Sequence, residues 1–108
     1  MKTPQRGEVW LVDLGLAAKV RPALVLSVPP GEKERSIITL IPHTTSLRGS
    51  IYEVPIRVSF LRSGAFDAQG IVTVPLVRIV RPLGTLSSEQ LKAVELTVCL
   101  WLGLKEGQ

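Results

Sequence analysis

The sequence predicts a mainly β fold: a small, strongly curved or partly closed antiparallel barrel with one C-terminal helix. Three observations point there. Most apolar residues fall in short runs rich in Val, Ile and Leu, too brief for stable helices and each bounded by Gly or Pro. Strands do not alternate with helical segments as a parallel sheet would require. Only the end of the chain switches to a helical period.

Residues 8–14 (EVWLVDL), 23–28 (ALVLSV) and 37–41 (IITLI) read as the first three strands. In residues 52–58, Tyr52, Val54, Ile56 and Val58 alternate with Glu53 and Arg57, and Pro55 puts this strand at an edge or bulge. Residues 71–74 and 77–80 complete the set, divided by Pro75. Loops are expected at 15–19, 29–36, 44–50 and 62–70. Ser87 with Gln90 three residues later forms a capping-box pattern, after which Leu91, Val94, Val98, Trp101 and Leu102 share one helical stripe. Gly103 is a natural stop, which bounds the helix at about 88–102.

The chain has 108 residues, 45% apolar and 20% charged, as expected of one domain over 1–108 with one core. Cys99 is the only cysteine, so no disulfide can form within the chain. Set among Val98, Leu100 and Trp101, its thiol reads as a buried core group in a reducing cytosol. The polar start, with Pro4 and Gly7, lacks the apolar stretch of a signal peptide, and the longest apolar run, 98–102, is too short to span a bilayer. A cytoplasmic protein with no membrane partner is the expectation.

Thirteen basic residues against nine acidic ones give a net charge of +4, a mild bias toward nucleic acid that also serves plain solubility. Spacings for zinc, calcium, a P-loop, GxSxG or GxGxxG are all missing from the sequence. His43 is the only histidine, so any histidine-based mechanism centres on it. The chemistry left is that of arginine, hydroxyls and backbone.

Two segments offer such chemistry. Pro22 disfavours helix at Arg21 and holds it extended at the start of a strand. In Pro42-His43-Thr44-Thr45-Ser46, hydroxyls crowd the end of a strand before a loop carrying Arg48 and Gly49, a composition suited to phosphate contacts. Taken alone, Arg21 reads first as a surface or capping residue, and Thr44 and Thr45 as turn residues whose hydroxyls bond their own backbone. If the chain is extended at this point, His43 and Thr44 point to opposite faces.

Arg6-Gly7-Glu8-Val9-Trp10-Leu11-Val12-Asp13, then Arg21-Pro22-Ala23-Leu24-Val25-Leu26-Ser27, then Pro42-His43-Thr44-Thr45, and finally Val77-Arg78-Ile79-Val80 before Leu83-Gly84-Thr85-Leu86 resemble the MazF/PemK family of endoribonuclease toxins. The resemblance runs from about residue 6 to 102, and its specific part is the first two segments. It implies an SH3-like barrel with a C-terminal helix, a homodimer, metal-independent and cofactor-free cleavage of single-stranded RNA, and silencing by an antitoxin with an acidic, disordered segment. It also implies catalytic roles for Arg21 and Thr44; beside them, Thr45, Ser46, Arg48, His43 and Arg78 are the expected substrate contacts.

The chain departs from the family in two places. The segment joining the first two strands is only 15–20, and the family's late Asp and Gln-x-Arg read Pro75 and Leu76-Val77-Arg78. The alternative catalytic groups of some members are therefore absent. The short loop would suit a binder that does not cut, such as a CcdB-like gyrase poison or a basic nucleic-acid-binding barrel.

Overall fold

The computed structural model describes residues 2–15 and 19–105. Of the predicted first loop, residues 16–18 lie outside the described residues, as do Met1 and 106–108 at the ends of the 1–108 span. The strands are β1 (Glu8–Asp13), β2 (Val20–Val25), β3 (Ile37–Thr44), β4 (Glu53–Pro55), β5 (Ala65–Asp67), β6 (Val72–Pro75) and β7 (Ile79–Thr85). One α-helix, α1, covers Ser88–Leu102, and two 3-10 turns cover Ala68–Gly70 and Leu76–Arg78.

All recorded strand pairs are antiparallel, in the order β4-β5-β3-β2-β1-β7 with β6 also on β3. Strand β3 organises the sheet. Leu40 pairs with Val25 of β2 and, on the other edge, with Val72 of β6. Farther along, His43 and Thr44 pair with Phe66 and Ala65 of β5. One edge of β3 thus serves β6 and then β5, which curls the sheet. The flanking strands β4 and β7 do not pair with each other, so the curl stops short of a closed ring of hydrogen bonds.

Both faces of the curled sheet are buried, which is why the strand sequences read as continuous apolar runs. One face packs Val9, Leu24, Ile41 and Phe66 with Val94 and Val98 of α1. The other gathers Trp10, Val12, Ala23, Val25, Leu40 and Ile79. Helix α1 seats on β4 and on the Ala68–Gly70 turn, and Trp101 meets Tyr52 edge-on at 5.1 Å. Its start carries the full capping box: Ser87 Oγ accepts from the Gln90 N–H at 3.1 Å, and Gln90 Oε1 accepts from the Ser87 N–H at 2.8 Å. It ends where Gly103 turns left-handed at φ 71°.

Several local expectations change. Strand β5 lies inside the predicted 62–70 loop, because three residues show no period and form a strand only through pairing with β3 and β4. The predicted 52–58 strand shrinks to β4, ending at Pro55, which lacks an N–H for the ladder. The predicted 77–80 strand starts later and runs to Thr85, since Leu76–Arg78 coil into a 3-10 turn. Strand β2 begins at Val20 and ends at Val25, and β3 continues through Pro42 to Thr44. Cys99 is half-buried rather than buried, because Val94 and Val98 are the helix residues that reach the core.

The capping box makes one local energy testable. Ser87→Ala should lower unfolding stability by about 0.5–2 kcal/mol. A urea titration should show a lower midpoint with an unchanged slope; an unmoved midpoint would show that tertiary packing alone holds the helix start.

Candidate functional site

Arg21 is the second residue of β2, with Pro22 behind it holding the backbone extended. Ala23 pairs with Pro42, and with the two-residue period Arg21 and Thr44, each two positions on, keep the face that these partners share. His43 takes the opposite face. It is only 4% exposed, and its ring stands edge-on to Phe66 at 5.1 Å. Its Nε2 is buried and finds no hydrogen-bond partner among the described residues, and burial pushes its pKa below the ordinary histidine value.

The close fit at this end of β3 depends on Gly64. A Cβ there would lie 2.2 Å from the Thr44 carbonyl oxygen and 2.8 Å from His43 Cε1. Glycine therefore lets the segment before β5 close down on His43 and Thr44.

Two hollows meet at Arg21. One, of about 240 Å³, is lined by Arg21, His43, Thr44, Ser46 and Asp67 with Pro42 and Leu14. The other, of about 490 Å³, has Arg21, Arg62 and Arg81 in its wall with His43 and Thr45, and its lining holds no acidic side chain. Three guanidinium groups around one concavity suit a phosphate chain, since each presents forked donors and stays charged. Thr44 Oγ1 accepts from the Ser46 N–H at 3.0 Å, while its own proton has only the Ser46 carbonyl at 3.5 Å. The hydroxyl is thus oriented by its turn and keeps a donor for a ligand.

The residues nominated from sequence divide accordingly. Arg21, His43, Thr44, Thr45 and Ser46 line the paired hollows. Arg48 and Arg78 line neither. Arg48 belongs to a loop whose N–H groups at Arg48, Gly49 and Ser50 all bond the Glu53 carboxylate, at 2.9, 2.9 and 3.0 Å. That carboxyl is held below its ordinary pKa, chiefly by the Arg48 N–H. Arg78 stands over Gly15 with its guanidinium 3.8 Å from Asp13.

Arg62, Arg81 and Asp67 were not singled out by sequence reasoning. For Arg81 a signal existed: Arg81-Pro82 repeats the Arg21-Pro22 pair. Leu11 pairs with Pro22 on one side and Arg81 on the other, so the register brings the two arginines to flanking strands of β1. Arg62 and Asp67 carry no comparable local mark. Among the described residues, no three His, Cys, Asp or Glu side chains gather as metal ligands would, and no helix is long and apolar enough to cross a membrane.

Comparison with known proteins gives a consistent result. Residues 5–102 match the family model described as PemK-like, MazF-like toxin of type II toxin-antitoxin system. The endoribonuclease MazF9 of Mycobacterium tuberculosis (strain ATCC 25618 / H37Rv) is 28% identical over 116 aligned residues, covering 90% of this chain and 98% of that one. A MazE–MazF structure from Deinococcus radiodurans superposes with a TM-score of 0.81 at 21% identity, over 97% of this chain and 100% of that one. A mycobacterial endoribonuclease solved with its cognate antitoxin does so with a TM-score of 0.78 at 23% identity, over 97% and 98% of the two chains. At these identities the two structures speak for the fold, which is the mainly β architecture with its terminal helix.

The buried His43 has a consequence for stability. Its folded-state pKa is lowered from 6.5, so the unfolded chain takes up the proton first as pH falls. Stability should be full above that value and decline as pH drops through it. Urea midpoints measured from pH 7.5 down to 5.5 should fall for the native sequence and stay flatter for His43→Gln; equal slopes would exclude His43 as the cause.

Proposed function

Because the chain belongs to the PemK-like, MazF-like toxin family of type II toxin-antitoxin systems, we propose that it is the toxin of such a pair and a sequence-specific endoribonuclease acting on single-stranded RNA in the cytoplasm. The observation that carries this reading is Arg21, shared between a hollow holding the Thr44 hydroxyl and a second one walled by Arg62 and Arg81. A phosphate beside Arg21 would then have a hydroxyl donor on one side and a basic channel for the continuing backbone on the other. The relative named an endoribonuclease supports the same class of activity.

The mechanism needs no metal or cofactor. The RNA's own 2′-oxygen attacks the adjacent phosphorus in line with the departing 5′-oxygen. Arg21 neutralises the extra negative charge on the five-coordinate phosphate, and Thr44 donates its hydroxyl proton as a hydrogen bond to a non-bridging oxygen. Thr45, Ser46 and His43 shape the walls around the bound strand, while Arg48 and Arg78, outside both hollows, contact nucleotides farther along. Arg62 and Arg81 join the substrate contacts.

The natural inhibitor in this reading is a cognate antitoxin whose acidic, disordered segment folds into the basic channel and excludes RNA. Relatives solved with MazE or with a cognate antitoxin support that partner. The toxin itself works as a homodimer. A second reading, binding without cleavage in the manner of a CcdB-like gyrase poison or a basic nucleic-acid-binding barrel, draws on the short segment joining β1 and β2.

Arg21→Ala and Thr44→Ala should each reduce RNA cleavage by roughly a hundredfold to a thousandfold without unfolding the protein. Gel assays on a mixed single-stranded RNA would read this, and full activity in both folded variants removes the assignment.

Cleavage should persist in excess chelator and leave a 2′,3′-cyclic phosphate, or the 3′-phosphate it hydrolyses to, opposite a 5′-hydroxyl. A 2′-deoxy nucleotide before the cut should block it while binding survives. Products with 5′-phosphate would show that water attacks, and no cleavage of any RNA would favour the binding reading.

A further inference from the structure

We infer that Asp67 is the general base that takes the proton from the attacking 2′-hydroxyl. This assignment rests on the RNA-cutting reading and supplies the one group that mechanism lacks. Arg21 cannot serve, because a guanidinium stays protonated and offers no acceptor. Of the other side chains lining the hollow beside Thr44, the Thr and Ser hydroxyls are too weakly basic, and His43, paired with Phe66 and only 4% exposed, belongs to the opposite face of β3 from the Thr44 hydroxyl. Asp67 remains.

Sheet register supports the same choice. Thr44 pairs with Ala65 on β5, and Asp67, two residues on, returns to that face. Arg21, Thr44 and Asp67 therefore stand on one face across β2, β3 and β5, while His43 and Phe66 share the other. Asp67 Oδ1 accepts from the Gln69 N–H at 3.1 Å, which fixes the carboxylate's orientation. Its Oδ2 lies over Gly70, where a Cβ would come within 3.4 Å of it and within 2.8 Å of Pro42 Cγ. Glycine at 70 lets Pro42, which lines the same hollow, approach this turn closely.

In the step itself, the 2′-O–H proton passes to an Asp67 oxygen as the O2′–P bond forms and the P–O5′ bond breaks. The departing 5′-oxygen takes a proton from water, and Asp67 later returns its own to solvent, so the enzyme is regenerated. Asp67 also caps the Ala68–Gly70 turn, and that structural role must be separated from the chemical one. Asparagine caps as well as aspartate but accepts no proton.

The test is therefore Asp67→Asn, assayed under single-turnover conditions on an RNA the native protein cuts. The rate should fall by roughly 10²–10⁴-fold, while affinity for a 2′-deoxy version of that RNA stays unchanged. The loss should persist on a substrate whose 5′-bridging oxygen is replaced by sulfur, since sulfur leaves without a proton. Cleavage at the native rate by the folded variant overturns the assignment, and so does recovery on the sulfur substrate, which would make Asp67 the acid. Failure of the native protein to cut any RNA would instead sink the endoribonuclease reading and this inference with it.

Discussion

The whole arrangement depends on β3 having to satisfy three neighbours with one eight-residue strand. Its backbone groups on one edge go to β2, and those on the other go to β6 and then to β5. The partner on that edge changes partway along β3, and both faces of the sheet carry a buried cluster. The last turn of that constraint falls on His43 and Thr44, where β5 replaces β6 as partner and the register fixes which side chain faces which way.

Burial on both faces has a price at the site. The residue next to Thr44 must enter the core packed by α1, and it is the chain's only histidine. Nothing among the described residues hydrogen-bonds its Nε2, so the imidazole is held against its tendency to charge. A proton acceptor for chemistry on the Thr44 face then has to come from another strand. Asp67 is the acidic side chain that the curl of the sheet brings there.

Charge is distributed by the same geometry. Leu11, half-buried and paired with Pro22 on one side and Arg81 on the other, sets two Arg-Pro pairs on opposite flanks of β1. Arg62, from the segment that Gly64 allows to close over β3, completes a basic wall. Proline removes ladder donors at both pairs.

Much of this was legible in the residues themselves. Short Val, Ile and Leu runs between breakers marked the strands, Ser87 with Gln90 and Gly103 bounded the helix, and Pro22 held Arg21 extended, because period, capping and proline sterics act within a few residues. The pairing of Arg21 with Thr44 came from likeness to a family, not from local pattern. Tertiary structure alone decided the three-residue strand β5, the burial of His43, and the meeting of Arg21 with Arg62, Arg81 and Asp67. Those outcomes depend on register between segments distant in sequence, and a one-residue slip would send every side chain to the other face.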